Sequence, residues 1–186
     1  MIAVTGRCTA SDDAEDRAQA LTRMVAEYQG ALLRMCYLYL QDASAAQDAV
    51  QETFLKAYKG YEAFRGESQE RTWLMSIAIN VCRDMNRSAW LRHIDRRVTP
   101  EELPLAVVPA DEDALALAEA IRRLPNRHRD VILLYYYQDM TIKEVAEALH
   151  AAPSTILKRL NQAKDKLKTL LTEDELSPTA RKEGLR

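Results

Sequence analysis

Apolar residues recur at intervals of three and four along most of the chain, the spacing of helices with one buried face. Leu21, Met24, Val25, Tyr28, Leu32, Met35, Cys36 and Tyr39 predict a long helix from about residue 16 to 40. Asp42 or Ser44 can cap a second, to about Tyr58, with Val50, Phe54, Ala57, Tyr58 and Tyr61 as its inward stripe. A loop is expected around Gly66, and Ser68 opens a third helix through Trp73, Ile77, Val81 and Met85 to about Trp90. The period then breaks. Pro100, Pro104 and Pro109 stand in a stretch without sustained helical spacing, which predicts a flexible linker. Four shorter helices follow at roughly 111–124, 127–138, 141–149 and 153–171, with Pro153 suited to a first turn. Residues 1 to about 15 and the polar tail read as frayed ends. The prediction is an all-α protein of two small helical domains, 16–94 and 111–172, joined by a flexible linker at 95–110, the C-terminal one a helix-turn-helix.

Composition narrows the function. With 47% hydrophobic and 29% charged residues the chain is globular rather than disordered. Its apolar runs fall far short of the roughly 20 residues that span a bilayer, and the N-terminus has no secretory apolar core, so a cytoplasmic protein is expected. Cys8, Cys36 and Cys82 form no CxxC pair and no Cys/His cluster. Cys36 and Cys82 are expected as free thiols in the core, and no metal is implied. No nucleophile–base pair or phosphate loop is visible, so neither enzymatic activity nor a cofactor is expected.

Charge is distributed unevenly. The formal net charge is −2, yet the last helix carries Lys158, Arg159, Lys164, Lys166 and Lys168 against Asp165 alone, five against one, or +4. A basic helix on an acidic protein marks a phosphate-facing surface. It follows TIKEVAEAL and the short turn HAAPS, the pattern of a helix-turn-helix whose second helix enters the major groove. Its apolar seam is Val145, Ala146, Leu149, Ile156, Leu160, Ala163 and Leu167. The opposite face presents Ser154, Thr155, Lys158, Asn161, Gln162 and Asp165, and Asn or Gln can bind adenine bidentately.

Two further blocks stand out. In DAVQETFLKAY, Val50, Phe54 and Tyr58 face inward, leaving Asp48, Gln51, Glu52 and Leu55 on an outward strip. A leucine on a polar face suits a protein-binding surface, and a solvated helix face would look similar. From Phe64 to Arg97, Phe64, Arg71, Trp73, Asn80, Arg83 and Arg87 interleave rings, amides and guanidiniums. Between Val81 and Arg97 five arginines oppose two aspartates, or +3. Rings stack on bases and cations hold phosphates, as single-strand binding requires; Trp73 could also be plain core.

In order, DAVQETFLKAY, FRGES with RTWL and IAIN, and LPNRHRDVILLYYY with TIKEVAEAL resemble the extracytoplasmic-function (ECF) group of the sigma-70 family of bacterial RNA polymerase sigma factors. The resemblance implies a two-domain protein that recruits core RNA polymerase to promoter DNA. The domain at 16–94 would be sigma region 2, which binds core polymerase and the −10 element and helps to melt it. The domain at 111–172 would be region 4, which reads the −35 element. Asp48, Gln51 and Glu52, with Leu55 beside them, would meet the coiled-coil clamp helices of polymerase's largest subunit. Phe64 to Arg71 matches the loop that receives a flipped base. Asn80 would help to hold that base, beside Trp73, and Arg83 and Arg87 lie along the strand-binding face. Lys158, Arg159, Asn161, Gln162 and Lys164, with Ser154 and Thr155 before them, fall on the −35 helix. An anti-sigma factor, often membrane-bound, is the expected regulator, and it would hold the protein at the membrane.

The chain departs from the family pattern in three places. His150 replaces the usual turn glycine, Leu157 and Lys158 replace a basic residue followed by serine, and Gln162 replaces arginine. Two rival readings remain at this stage. A conventional helix-turn-helix regulator would explain the last hairpin but not the other two blocks, and it would bind duplex DNA without polymerase. A helical adaptor binding only proteins would not explain the basic helix.

Overall fold

In a computed structural model of the chain, which describes residues 10–64, 68–92 and 112–176, the helical periods become seven α-helices. They are α1 (Ala10–Leu40), α2 (Ala43–Gly60), α3 (Glu70–Arg92), α4 (Glu112–Arg123), α5 (Asn126–Ile132), α6 (Ile142–Ala148) and α7 (Pro153–Leu176). A single 3₁₀ turn, Tyr61–Ala63, extends α2. The expected linker at 95–110, the loop centre at Gly66, Arg96 and Arg97, Cys8 and the chain ends lie outside the described residues.

Helix α1 starts at Ala10 rather than near residue 16. Of the two candidate caps for α2, Asp42 acts: its Oδ1 accepts from the Ala45 amide at 2.7 Å. Helix α5 runs on into a π-helical turn, Leu133–Tyr137, closed by the Gln138 amide donating to the Leu133 carbonyl.

α1, α2 and α3 pack against one another as the N-terminal domain. Met24, Leu32, Met35, Val50, Phe54, Leu74, Met75 and Ile79 are its buried apolar centre. In the C-terminal domain α4, α5 and α6 all pack on α7, around Ile121, Val131, Leu134, Val145, Ile156 and Leu160. The two domains also pack on each other, α3 against α6 and α1 against α4 and the π-helical turn, so the core is continuous.

The seam between the domains is unusually polar. His128, Arg129 and Asp130 are buried in succession on α5, and the last two meet residues of the N-terminal domain. Arg129 donates to the carbonyls of Ile121, Arg122 and Leu124 and, across the seam, to Tyr39 O at 3.2 Å. Its guanidinium also lies 4.8 Å from the Tyr39 ring centroid. Asp130, fully buried, accepts from Arg83 Nε at 3.1 Å and Nη2 at 2.6 Å. The Gln138 side-chain nitrogen donates to Ala31 O at 3.1 Å, and the Gln138 backbone carbonyl accepts from Arg71.

Cys36 and Cys82, 46 positions apart, meet in the N-terminal core with sulfurs 3.5 Å apart. The hydrogen bond to Cys36, then burial, push the Cys82 thiol well above its ordinary value. Both thiols are fully buried and free, and a buried thiol held protonated is a poor nucleophile.

Helix α6 ends in a turn that favours glycine. His150 has φ 48°; its amide donates to Glu147 O, and the Ala151 amide donates to Ala146 O. These are the paired bonds of a Schellman closure, whose left-handed residue is usually glycine. His150→Gly relieves a left-handed strain of about 1–2 kcal/mol at an entropic cost of about 0.5–1 kcal/mol. The variant is expected to unfold about 1–4 °C higher in a thermal melt; an unchanged or lower midpoint would mean that the strain does not exceed the entropic cost of glycine.

Candidate nucleic-acid interface

The outward strip of α2 forms as its spacing requires. Asp48, Gln51, Glu52 and Leu55 are all exposed, while Val50 and Phe54 are buried and Tyr58 half-buried. Leu55 is 46% exposed and rims an apolar groove of about 420 Å³ between α1 and α2, with Leu21, Val25, Val50 and Phe54. Its exposure therefore belongs to a continuous apolar surface, which a solvated helix face would lack. The Lys56–Glu52 pair on this face, 3.6 Å apart and exposed, contributes little.

Beside the strip lies a second cavity, of about 440 Å³, which is half polar in character. Lys56, Gly60 and Ala63 line one wall; Trp73, Ile77 and Asn80 line the other. Each set follows the i, i+4, i+7 spacing of one helical stripe, so two facing stripes make the cavity. Trp73 is half-buried: its ring stacks on Phe64, with centroids 4.7 Å apart and planes at 25°. It packs on the core and also lines the cavity.

The arginines here are not equivalent. Arg83 is bound to Asp130, and its Nη1 donates to the Asn80 side-chain oxygen at 3.2 Å. Burial opposes its charge, but the bonds to Asp130 outweigh burial and hold its pKa above the ordinary value. On Asp130 burial dominates and pushes the carboxyl up, against the pull of Arg83. Arg87 is exposed and pairs with Asp84 at 2.6 Å. Arg71, expected in the base-receiving loop, lies in the first turn of α3 and donates to the Gln138 backbone carbonyl of the other domain. None of these domain-crossing contacts carries a sequence signal, because their partners lie 47 and 67 positions away.

The C-terminal hairpin is built by local rules. Thr141 caps α6 in a reciprocal box: its hydroxyl accepts from the Glu144 amide, and the Glu144 carboxylate accepts from the Thr141 amide at 2.8 Å. Those Thr141 bonds hold the Glu144 carboxyl below its usual range. Val145, Ala146, Ile156, Leu160 and Ala163 are buried in the seam, with Leu149 and Leu167 half-buried. On the opposite face Ser154, Lys158, Asn161, Gln162, Lys164 and Asp165 are exposed, while Thr155 and Arg159 are half-buried. Among the described residues no ion pair engages Lys158, Lys164, Lys166 or Lys168.

His128, 3% exposed, lies under this helix against Gln162. Burial lowers its pKa; Gln162 opposes that shift, while Arg127, Lys166 and Arg159 reinforce it. Below the unfolded value of about 6.5 the unfolded chain therefore takes up a proton that the folded chain refuses. Stability should fall as the pH drops through that range, down to the folded value. Replacing His128 with leucine is expected to flatten the slope of melting temperature between pH 7.5 and 5.5; parallel slopes in the two proteins would assign the effect to other groups.

Comparison with known proteins agrees with this layout. Residues 24–92 match the family described as Sigma-70 region 2, and residues 114–167 match Sigma-70, region 4. The chain is 32% identical over 168 residues to the ECF RNA polymerase sigma factor SigL of Mycobacterium tuberculosis, covering 88% of this chain and 95% of that one. Its fold is similar to that of CnrH, solved with the cytosolic domain of CnrY, at a TM-score of 0.67 and 24% identity over 89% of this chain and 96% of the other. It is also similar to RpoE, solved with the anti-sigma factor NepR from Bartonella quintana, at a TM-score of 0.65 and 22% identity over 83% and 98%.

Proposed function

Because the chain belongs to the ECF group of sigma-70 RNA polymerase sigma factors, we propose that its three surfaces divide promoter recognition among them. As a sigma factor it directs core RNA polymerase to promoter DNA and is not an enzyme. In our reading residues 16–94 work as region 2, 95–110 as the linker and 111–172 as region 4.

Asp48, Gln51, Glu52 and Leu55 bind the clamp helices of polymerase's largest subunit. A polar strip beside an apolar groove supports this, since a helix laid there buries apolar surface and meets polar partners at the rim. The cavity between Trp73, Ile77 and Asn80 takes a base flipped out of the −10 element, with Phe64 behind the Trp73 ring. Flipping costs a few kcal/mol, and stacking on an aromatic ring returns about 1–3 kcal/mol per base. Cations at Lys56, Arg87 and Arg83 supply the remainder through the strand's phosphates, with Arg71 beside the entry loop. Exposed Ser154, Lys158, Asn161, Gln162 and Lys164 read the −35 element, flanked by half-buried Thr155 and Arg159. The observation that carries this reading is the Trp73–Ile77–Asn80 cavity beside the exposed α2 strip. A conventional helix-turn-helix regulator needs neither.

The domain seam adds a condition. Asp130 occupies the Nε–Nη2 edge of Arg83, so gripping a phosphate with that edge exchanges one anion for the other. An anti-sigma factor that covers these surfaces is the proposed regulator, and RpoE, of similar fold, was solved with one. We place the protein in the cytoplasm, held at the membrane through that partner.

The first test adds purified protein to sigma-free bacterial core polymerase and a genomic promoter library. Stable association and start-site-specific transcripts are expected, with association weakened about tenfold or more by Gln51→Ala/Glu52→Ala, about 1.4 kcal/mol or more across a compact patch. No association, together with tight duplex binding by the protein alone, would favour a conventional regulator. Asp130→Asn should release Arg83 and strengthen binding of the free protein to single-stranded −10 DNA, with a steeper salt dependence. Unchanged affinity in a correctly folded variant would show that the seam does not restrain Arg83.

A further inference from the structure

Among the described residues five large apolar side chains are exposed, and Leu157 is the most exposed of them at 51%. It is the fifth residue of α7, in the N-terminal part of the helix, where recognition helices contact base edges. Its surroundings are polar: Ser154 precedes it by three residues, Asn161 follows by four, and Lys158 adjoins it, all exposed. Ser154, Leu157 and Asn161 therefore form one outward stripe. At a rise of about 1.5 Å per residue the stripe is about 10 Å long, the length of about three base pairs. Leu157 sits at its middle. The inward side of the helix is already filled by Ile156 and Leu160, so Leu157 adds nothing to the core.

A leucine cannot hydrogen-bond to a base or a phosphate. The major groove offers it one apolar feature, the C5-methyl group of thymine. We infer that Leu157 is a specificity-determining residue that packs on a thymine methyl in the −35 element, between the positions met by Ser154 and Asn161. This rests on the reading of α7 as the −35 helix and deepens it. It predicts a −35 element containing a thymine recognised by its methyl group, at a place where a basic side chain would instead seek phosphate or guanine.

The test begins with holoenzyme, assembled from the full chain and core polymerase, selecting promoters from a library randomised across the upstream element. Each thymine of the selected element is then replaced by deoxyuridine, which removes the methyl group and leaves the hydrogen-bonding edge intact. At one position the wild-type holoenzyme should lose about three- to fivefold in promoter affinity, the value of one buried methyl. Leu157→Ala holoenzyme should bind the thymine promoter less tightly and be indifferent to deoxyuridine at that position. Scrambling the whole upstream element reports separately on the parent reading. If scrambling lowers affinity but every deoxyuridine is tolerated, or is equally harmful to wild type and Leu157→Ala, the role of Leu157 is overturned and α7 remains the upstream reader. If scrambling has no effect, the parent reading falls and this inference with it.

Discussion

The carbonyl groups at the C-terminal ends of α1 and α4 converge on the guanidinium of Arg129. A helix leaves its last four carbonyls without internal donors. Here Arg122 at the end of α4, Leu124 just beyond it, and Tyr39 in the last turn of α1 find their donor in one side chain, which also reaches the Ile121 carbonyl beside that carbonyl's bond from the Leu124 amide. The negative ends of two helix dipoles favour a cation at that point, and the Tyr39 ring adds a π-face. A buried carbonyl left without a donor costs about 1–3 kcal/mol, so a seam without Arg129 would carry several such penalties. Lysine could not replace it: three donors on a point charge cannot serve four diverging acceptors, whereas arginine has five in a planar fork. Burial lowers the Arg129 pKa, yet arginine stays charged in proteins.

The same seam sorts the cations of the surfaces proposed to face DNA. Next to Arg129 along the chain, Asp130 is carried into the interior, where it needs a positive partner. Arg83 supplies that partner from α3, and so the arginine beside Asn80 is also the one that stabilises domain packing. Arg87 is held only by an exposed i,i+3 pair, which water and salt weaken readily. The lysines of α7 have no ion pair among the described residues. In the proposed function, affinity for duplex DNA is thus permanently available on α7, whereas capture of the melted strand is coupled to the state of the seam.

The two halves of the interface differ in how they are built. The helix-turn-helix is organised by short-range contacts: the Thr141–Glu144 box, the closure around His150, and Pro153 in the first turn of α7. The left-handed His150 shows that this geometry is held despite an unfavourable residue. The cavity proposed to take a base, by contrast, needs two helices at a fixed distance and angle, because neither Lys56–Gly60–Ala63 nor Trp73–Ile77–Asn80 encloses a space alone.

The sequence by itself determined the number and type of the helices, the choice of Asp42 or Ser44 as the cap of α2, the outward strip on α2 and the basic face of α7. All follow from a period of 3.6 residues and from contacts within four positions, so they are written locally. It also carried the family resemblance, in ordered blocks. What only the tertiary structure decided are the pairings between distant residues: Cys36 with Cys82, Arg71 with Gln138, Arg83 with Asp130, and Arg129 with the end of α1. In the sequence His128, Arg129 and Asp130 look like a solvated polar run, yet all three are buried. The reason is physical. A polar group enters the interior only where another element brings its partner, and no local period reports what a second helix will bring.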